Sequence, residues 1–252
     1  MSERSSKDRD EYLRTMGSRQ QRYSRQIPLA MMGEGGQNRL SSSHILVVGV
    51  GGLGSIVSSY LAAAGVGHIT VVDDDVVEES NLNRQFIYGD AIGERKADAA
   101  AAFLRKVNPL IEVNAINGSI QDVELPWDTY ELAFDCLDNN ESRMVLNNRC
   151  QKAAIPLVHA GVDATRGQIF TSIPKVTACL QCMLPKGRQD RIPVFGPAAG
   201  VIASIQAAEG IRVLLEKYPP LTGKMLLVDL ADYDFEIVEM ERAEECPACK
   251  RD

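Results

Sequence analysis

Four of the six cysteines fall into two Cys-x-x-Cys pairs, Cys179-Leu180-Gln181-Cys182 and Cys246-Pro247-Ala248-Cys249. Four soft thiolates suit one tetrahedral metal ion, zinc above all, and a closed shell of this kind leaves no position for a substrate. The expected role is structural, because one ion would tie the end of the chain to its middle. A redox dithiol or an iron–sulfur cluster would use the same residues, though nothing else in the chain points to electron transfer. Cys136 and Cys150 stand alone in apolar stretches and read as small buried hydrophobes.

A second constellation concerns phosphate. Gly49-Val50-Gly51-Gly52-Leu53-Gly54 matches G-x-G-x-x-G, with Gly49, Gly51, Gly52 and Gly54 as its glycines. Glycine lets backbone approach a phosphate closely, and the helix that follows offers unpaired N–H donors to the anion. Asp73 ends the next apolar run, about where an acidic residue binds ribose hydroxyls. This fingerprint does not separate NAD from ATP, and alone it fits a nicotinamide-dependent oxidoreductase.

The charged residues that follow separate the two. Asp73-Asp74-Asp75 is succeeded by Ser80-Asn81-Leu82-Asn83-Arg84-Gln85, and Gly93-Glu94-Arg95-Lys96-Ala97 lies downstream. Arg22-Tyr23-Ser24-Arg25-Gln26 precedes them, and Asp135-Cys136-Leu137-Asp138-Asn139 with Arg143 comes after. On these five ordered motifs the chain resembles the ThiF/MoeB branch of the E1-like adenylating enzymes, from about Arg22 to Cys249.

The resemblance implies an adenylyltransferase: a carboxylate attacks the α-phosphorus of ATP and pyrophosphate leaves. Such chemistry needs charge neutralisation and in-line positioning, not a protein nucleophile. Position by position, it implies Arg84 and Lys96 on the phosphates, Asp138 on Mg2+, Asp73 on the ribose and Asn81 beside the phosphates. Asp75 and Asn139 fall in the same nucleotide-binding motifs. Arg25 is implied to reach the other subunit's site in a homodimer, and the cysteine pairs to hold structural Zn2+.

The substrate implied is the C-terminal glycine of a small β-grasp, ubiquitin-like sulfur carrier of the ThiS or MoaD type, whose Gly-Gly tail can thread to the α-phosphate. A small-molecule or peptide carboxylate is the alternative. The NAD-dependent oxidoreductase leaves Arg84, Lys96 and Asp138 without a role, and a catalytically dead binding module leaves intact motifs without a purpose. One departure is plain. Relatives often place a cysteine in the crossover loop, but Met183 to Pro197 contains none. A thioester or acyl disulfide there is excluded, while adenylation itself needs no thiolate.

Elements must hold these residues in place. His44 to Val48, Ile69 to Asp73, Ile111 to Ile116, Leu132 to Cys136 and Pro156 to His159 read as strands. Leu53 to Ala64 (closed by Gly65), Lys96 to Val107 and Glu141 to Ala153 read as the helices between them. The alternation predicts a Rossmann-like open, mostly parallel α/β sheet with helices on both faces. Gln168 to Ile173, Lys224 to Asp229 and Phe235 to Glu239 predict a late antiparallel set around a helix from about Ala198 to Lys217, with the cysteine site alongside. Residues 1–20 read as a polar, flexible arm, and 21–252 as one adenylation domain. His44, His68 and His159 flank strands as structural histidines, and Trp127 packs in a connection.

The 252 residues carry a formal net charge of −7, which disfavours sequence-independent nucleic-acid binding. No apolar run approaches the ~18 residues that cross a bilayer. The charged N-terminus lacks the apolar core of a secretory signal, and the expected compartment is the cytoplasm.

Overall fold

Short β-branched runs separated by alanine-rich segments assemble into one continuous sheet. The computed structural model describes residues 19–183, 193–216 and 219–249. In order they form α1 (Gly33–Ser42), β1 (His44–Val48), α2 (Gly54–Ala64), β2 (His68–Asp73), α3 (Lys96–Val107), β3 (Glu112–Asn117) and β4 (Leu132–Asp135). Then come α4 (Asn140–Ala153), β5 (Leu157–Asp163), β6 (Arg166–Ser172), α5 (Gly196–Leu215), β7 (Lys224–Asp229) and β8 (Asp234–Glu239).

The strand order is β3-β2-β1-β4-β5-β6-β7-β8. Pairings from β3 through β5 are parallel, and those from β5 to β8 are antiparallel. The late strands therefore extend the same sheet. From β1 the chain winds outward to β3, then crosses to the other side of β1 to lay down β4. That reversal opens a crevice between β1 and β4 at their carboxyl ends, where open α/β sheets bind ligands.

Both faces are covered. Alternate residues of β1 explain how: Ile45 and Val47 join a core with α2, α3 and α5, while Leu46 and Val48 join a second core with Leu146 and Cys150 of α4. A parallel strand buried on both faces must be apolar at every position, as His44–Val48 nearly is. Gly65 closes α2 at φ +86°, the left-handed conformation expected of a helix-ending glycine. Trp127 packs edge-on to Tyr130 in the connection before β4, with ring centroids 6.4 Å apart.

Three differences from the sequence reading have physical causes. The helix α1 has no counterpart in it, because GEGGQNRLSS carries three glycines and little periodicity. Its support is tertiary: Leu40 is fully buried and a Cβ on Gly36 would sit 3.2 Å from Leu215 of α5. Second, α5 is long and apolar enough by composition to cross a membrane, contrary to the expectation of no such run. Its apolarity serves the core instead, since Ala199, Ile202 and Ala203 are completely buried in the sheet-and-helix core. Third, β5 runs to Asp163 rather than His159, because β6 pairs with it antiparallel as far as Asp163 and Arg166. The expected arm at residues 1–20 lies outside the described residues up to position 18, and Arg19 and Gln20 begin a helical turn.

Candidate functional site

The glycine-rich turn occupies the crevice at the end of β1. Gly49 adopts φ +83°, and a Cβ there would sit 2.7 Å from the Cys136 carbonyl oxygen beyond β4. A Cβ on Gly54 would sit 1.8 Å from the Gly49 carbonyl oxygen. These two glycines are thus required by the fold: one lets the turn lie against β4, the other lets α2 close onto the turn. Gly51 and Gly52 instead face side chains, Gln85 and Arg84 respectively.

The turn is clamped at Val50. Its N–H donates to Asp73 Oδ2 at 2.7 Å, and its carbonyl accepts from the Tyr88 hydroxyl at 2.7 Å. Asp73 Oδ1 also accepts from the Asp75 N–H at 2.9 Å. Burial raises the Asp73 carboxyl above its ordinary range, opposed by these two backbone donors and by Lys96.

Arg84 lies across the turn, its Cδ 3.5 Å from where a Gly52 Cβ would be. Its Nη1 donates to the Ser80 carbonyl at 3.1 Å and to Asn83 Oδ1 at 2.8 Å, with no carboxylate partner among the described residues. Lys96, at the start of α3, is nearly buried and its Nζ pairs with Asp75 Oδ2 at 2.7 Å, while that carboxylate is two-thirds exposed. Asn81 is turned inward, with Oδ1 accepting from Glu78 N–H to cap the short helical turn Glu79–Asn81. Asp138 is exposed beyond β4, touched only weakly by Asn139 Nδ2 at 3.5 Å. Asn139 caps α4, accepting from Ser142 N–H at 2.9 Å.

The fold thus brings the glycine turn, Asp73, Asp75, Arg84, Lys96 and Asp138 to the same edge of the sheet, at or beyond the ends of β1, β2 and β4. Arg25 is not part of this group; it is exposed after the helical turn 19–23 and makes no ion pair among the described residues.

Beneath the crevice lies a buried polar network that motif reading did not single out. Asp135 is fully buried, with Oδ2 2.7 Å from His159 Nδ1 and Oδ1 accepting from Leu137 N–H at 3.1 Å. Gln168 Nε2 lies 3.1 Å from His159 Nε2, so Nε2 accepts and Nδ1 carries the proton toward Asp135. Burial lowers the His159 pKa and keeps the ring neutral near neutral pH. Gln206 of α5 donates to the carbonyls of both Asp135 and Val158 at 2.9 Å. Gln85 is also buried beside Gly51, with an Oε1 that has no partner among the described residues. Spacing could not reveal this network, because Asp135 and Gln206 stand 71 positions apart.

The ThiF family model matches residues 23–248 of the chain. The chain belongs to the ThiF family. It is 39% identical over 238 residues to the "SAMP-activating enzyme E1" of Haloferax volcanii, covering 90% of this chain and 88% of that protein. It is 35% identical to the molybdopterin-synthase adenylyltransferase of Escherichia coli, covering 90% of this chain and 95% of that one. In fold it is similar to the crystal structure of Escherichia coli MccB with MccA-N7isoASN, at a TM-score of 0.80 and 24% identity over 92% of this chain and 75% of that chain.

This ThiF-family chain is an E1-like adenylyltransferase, a class that uses ATP, and the oxidoreductase reading falls with that assignment. The family resemblance read from the sequence is borne out over residues 23–248.

The ThiF-family chain also brings its cysteine pairs together. Cys179 and Cys246 sulfurs lie 3.7 Å apart, Cys182 and Cys249 sulfurs 3.4 Å, and all four fall within 4.8 Å of one another. A tetrahedron of Zn–S bonds requires S···S separations of about 3.8 Å, so the donor set and spacing fit such an ion. The separations are too long for disulfides. Asn147 of α4 anchors the cluster, donating to Cys179 Sγ at 3.7 Å and accepting from Leu180 N–H at 3.0 Å. Cys136 and Cys150 are buried and far from thiolate character, burial raising both thiols.

Proposed function

We propose that the chain adenylates the C-terminal glycine carboxylate of a small ubiquitin-like, β-grasp sulfur carrier ending in Gly-Gly. The carrying observation is Arg84, a guanidinium with no carboxylate partner among the described residues, laid over the glycine turn. A planar fork in that position suits triphosphate oxygens. The relatives' names support the acceptor: one activates SAMP, another is a sulfur carrier protein adenylyltransferase from Thermus thermophilus.

In this reading the glycine turn and the start of α2 bind the phosphates, and Asp73 holds the ribose through its remaining lone pairs. Lys96 exchanges its pair with Asp75 for phosphate as nucleotide enters. Asn81 and Asn139 shape the walls through their caps. Asp138 would hold Mg2+, which would neutralise triphosphate charge. A carboxylate oxygen of the carrier then forms its bond to the α-phosphorus while the bond to pyrophosphate breaks, giving acyl-adenylate and free pyrophosphate. Zinc in the four-cysteine cluster ties the chain's end to α4. Arg25, which makes no ion pair among the described residues, is assigned to the site of a second subunit in a homodimer.

A second reading is favoured by the cysteine-free stretch Met183 to Pro197, of which residues 184–192 lie outside the described residues. With no thiolate there to receive an acyl group, a small-molecule or peptide carboxylate is an equally direct substrate. ATP–pyrophosphate exchange with magnesium distinguishes them. Exchange that requires a carrier with its terminal Gly-Gly, and is lost when those two residues are removed, supports the first reading. Exchange driven by small carboxylates and by no carrier transfers support to the second. Absence of nucleotide binding altogether would sink both.

A further inference from the structure

We propose that Arg143 and Asp135 are positioning residues that fix Asp138 by clamping the backbone of Leu137 from both sides. The inference rests on the reading above that Asp138 holds the magnesium of MgATP.

Asp138 has little support of its own. It is exposed, and its neighbour's amide at 3.5 Å is a marginal contact. A carboxylate that must meet a hard cation at defined distance needs a fixed backbone instead. The residue immediately before it supplies that. Leu137 N–H donates to Asp135 Oδ1 at 3.1 Å, and the Leu137 carbonyl accepts from Arg143 Nη2 at 2.6 Å. Both backbone groups of one residue are thus held by side chains from two different elements, β4 and α4.

The clamp is itself buried and braced. Arg143 is 6% exposed and Asp135 is 0% exposed, with Arg143 Nε 3.8 Å from Asp135 Oδ2. Arg143 Nη2 also reaches the Ala160 carbonyl of β5 at 3.5 Å, and its Nε makes no hydrogen bond among the described residues. His159, itself held by Gln168, contacts Asp135 Oδ2. A buried cation that spends its donors on backbone carbonyls, rather than on a bidentate pair with the nearby carboxylate, is arranged to hold backbone and not to maximise the ion pair.

The test is the magnesium dependence of nucleotide binding by the full chain, measured by titration calorimetry with α,β-methylene ATP at stepped magnesium concentrations. Asp138→Asn, Arg143→Lys and the double variant are compared, with melting temperatures recorded for each. Arg143→Lys keeps the buried charge but loses the fork, and is expected to raise the magnesium needed for half-maximal binding about tenfold, as outer residues around a metal commonly do. In the Asp138→Asn background Arg143→Lys should add no further change, because it acts through Asp138. A merely structural role would lower the melting temperature and leave the magnesium requirement in place.

The outcomes separate the claims. If Asp138→Asn shifts the requirement and Arg143→Lys does not, the clamp is wrong while the site reading stands. If Asp138→Asn shifts nothing, Asp138 is not the metal residue and both fall. Equal shifts by Arg143→Lys in both backgrounds would also overturn the clamp, since its effect would bypass Asp138. Should Arg143→Lys fail to fold, Asp135→Ala removes the acceptor for Leu137 N–H, the other half of the clamp, and is scored by the same titration.

Discussion

At the carboxyl ends of β1, β2 and β4, Arg84 and Asp138 stand without carboxylate or cation partners among the described residues, while backbone around them is clamped. At the cysteine cluster the opposite holds: the four sulfurs turn toward one another, Cys179, Cys246 and Cys249 are buried, and Asn147 closes one side. One region presents charges to something outside the chain; the other consumes its ligating atoms internally. On the proposed function the first region is the reactive one and the second the structural one, and a substitution in one region should leave the other's property unchanged.

The largest expected effect tests the open region. Arg84→Ala should lower ATP–pyrophosphate exchange by about 10³-fold, the scale at which an arginine neutralises transferring phosphate. Its melting temperature should stay near that of the parent chain, because no packed apolar contact is lost. A comparable loss of stability would break the contrast.

Next comes the turn that underlies the open region. Gly54→Ala places a Cβ 1.8 Å from the Gly49 carbonyl, and denaturant unfolding should show a loss of about 3 kcal/mol. Gly52→Ala has 3.5 Å to the Arg84 side chain and should fold normally, with weakened nucleotide binding as its main defect. If the two behave alike, the division between fold-forming and ligand-facing glycines is wrong.

The closed region should respond in the reverse sense to Arg84. Cys246→Ala should cost about 2 kcal/mol of stability, and a chelator should destabilise the parent chain but not this variant. Exchange per folded molecule should be unchanged. Loss of exchange without loss of stability would assign the cluster a chemical role.

The smallest effect is a pH dependence. Burial raises the Asp73 pKa in the folded chain, so nucleotide affinity should climb as pH rises through that value and then level off, over a span of about tenfold. The contribution to folding has the opposite sign: a folded carboxyl that holds its proton more tightly than the unfolded one loses stability as pH rises from the unfolded to the folded pKa. Asp73→Asn should flatten both profiles, and an unaltered affinity profile in that variant would remove Asp73 from the ribose.

Much of this was legible in sequence because the informative signals are local. A strand, a glycine turn and a helix are consecutive, and G-x-G-x-x-G between them reports a backbone approach that only those residues permit. The two Cys-x-x-Cys pairs announce a four-sulfur set from residue type alone. The alternation of apolar runs with alanine-rich helices determined the parallel core, since a strand buried on both faces must be continuously apolar. Tertiary structure decided the rest. The helix α1 forms in spite of its glycines because Leu40 and Gly36 find a partner surface on the core. Of the buried set, Asp135 and Arg143 stand within one motif, but their meeting with His159, Gln168 and Gln206 was not legible, because the members come from β4, α4, β5, β6 and α5 and meet only when the sheet closes. Caps that occupy Asn81 and Asn139, and the pairing of Lys96 with Asp75, likewise depend on which neighbour the fold delivers. Residue type determines which interactions are possible; burial, by removing water as the competing partner, determines which of them are made.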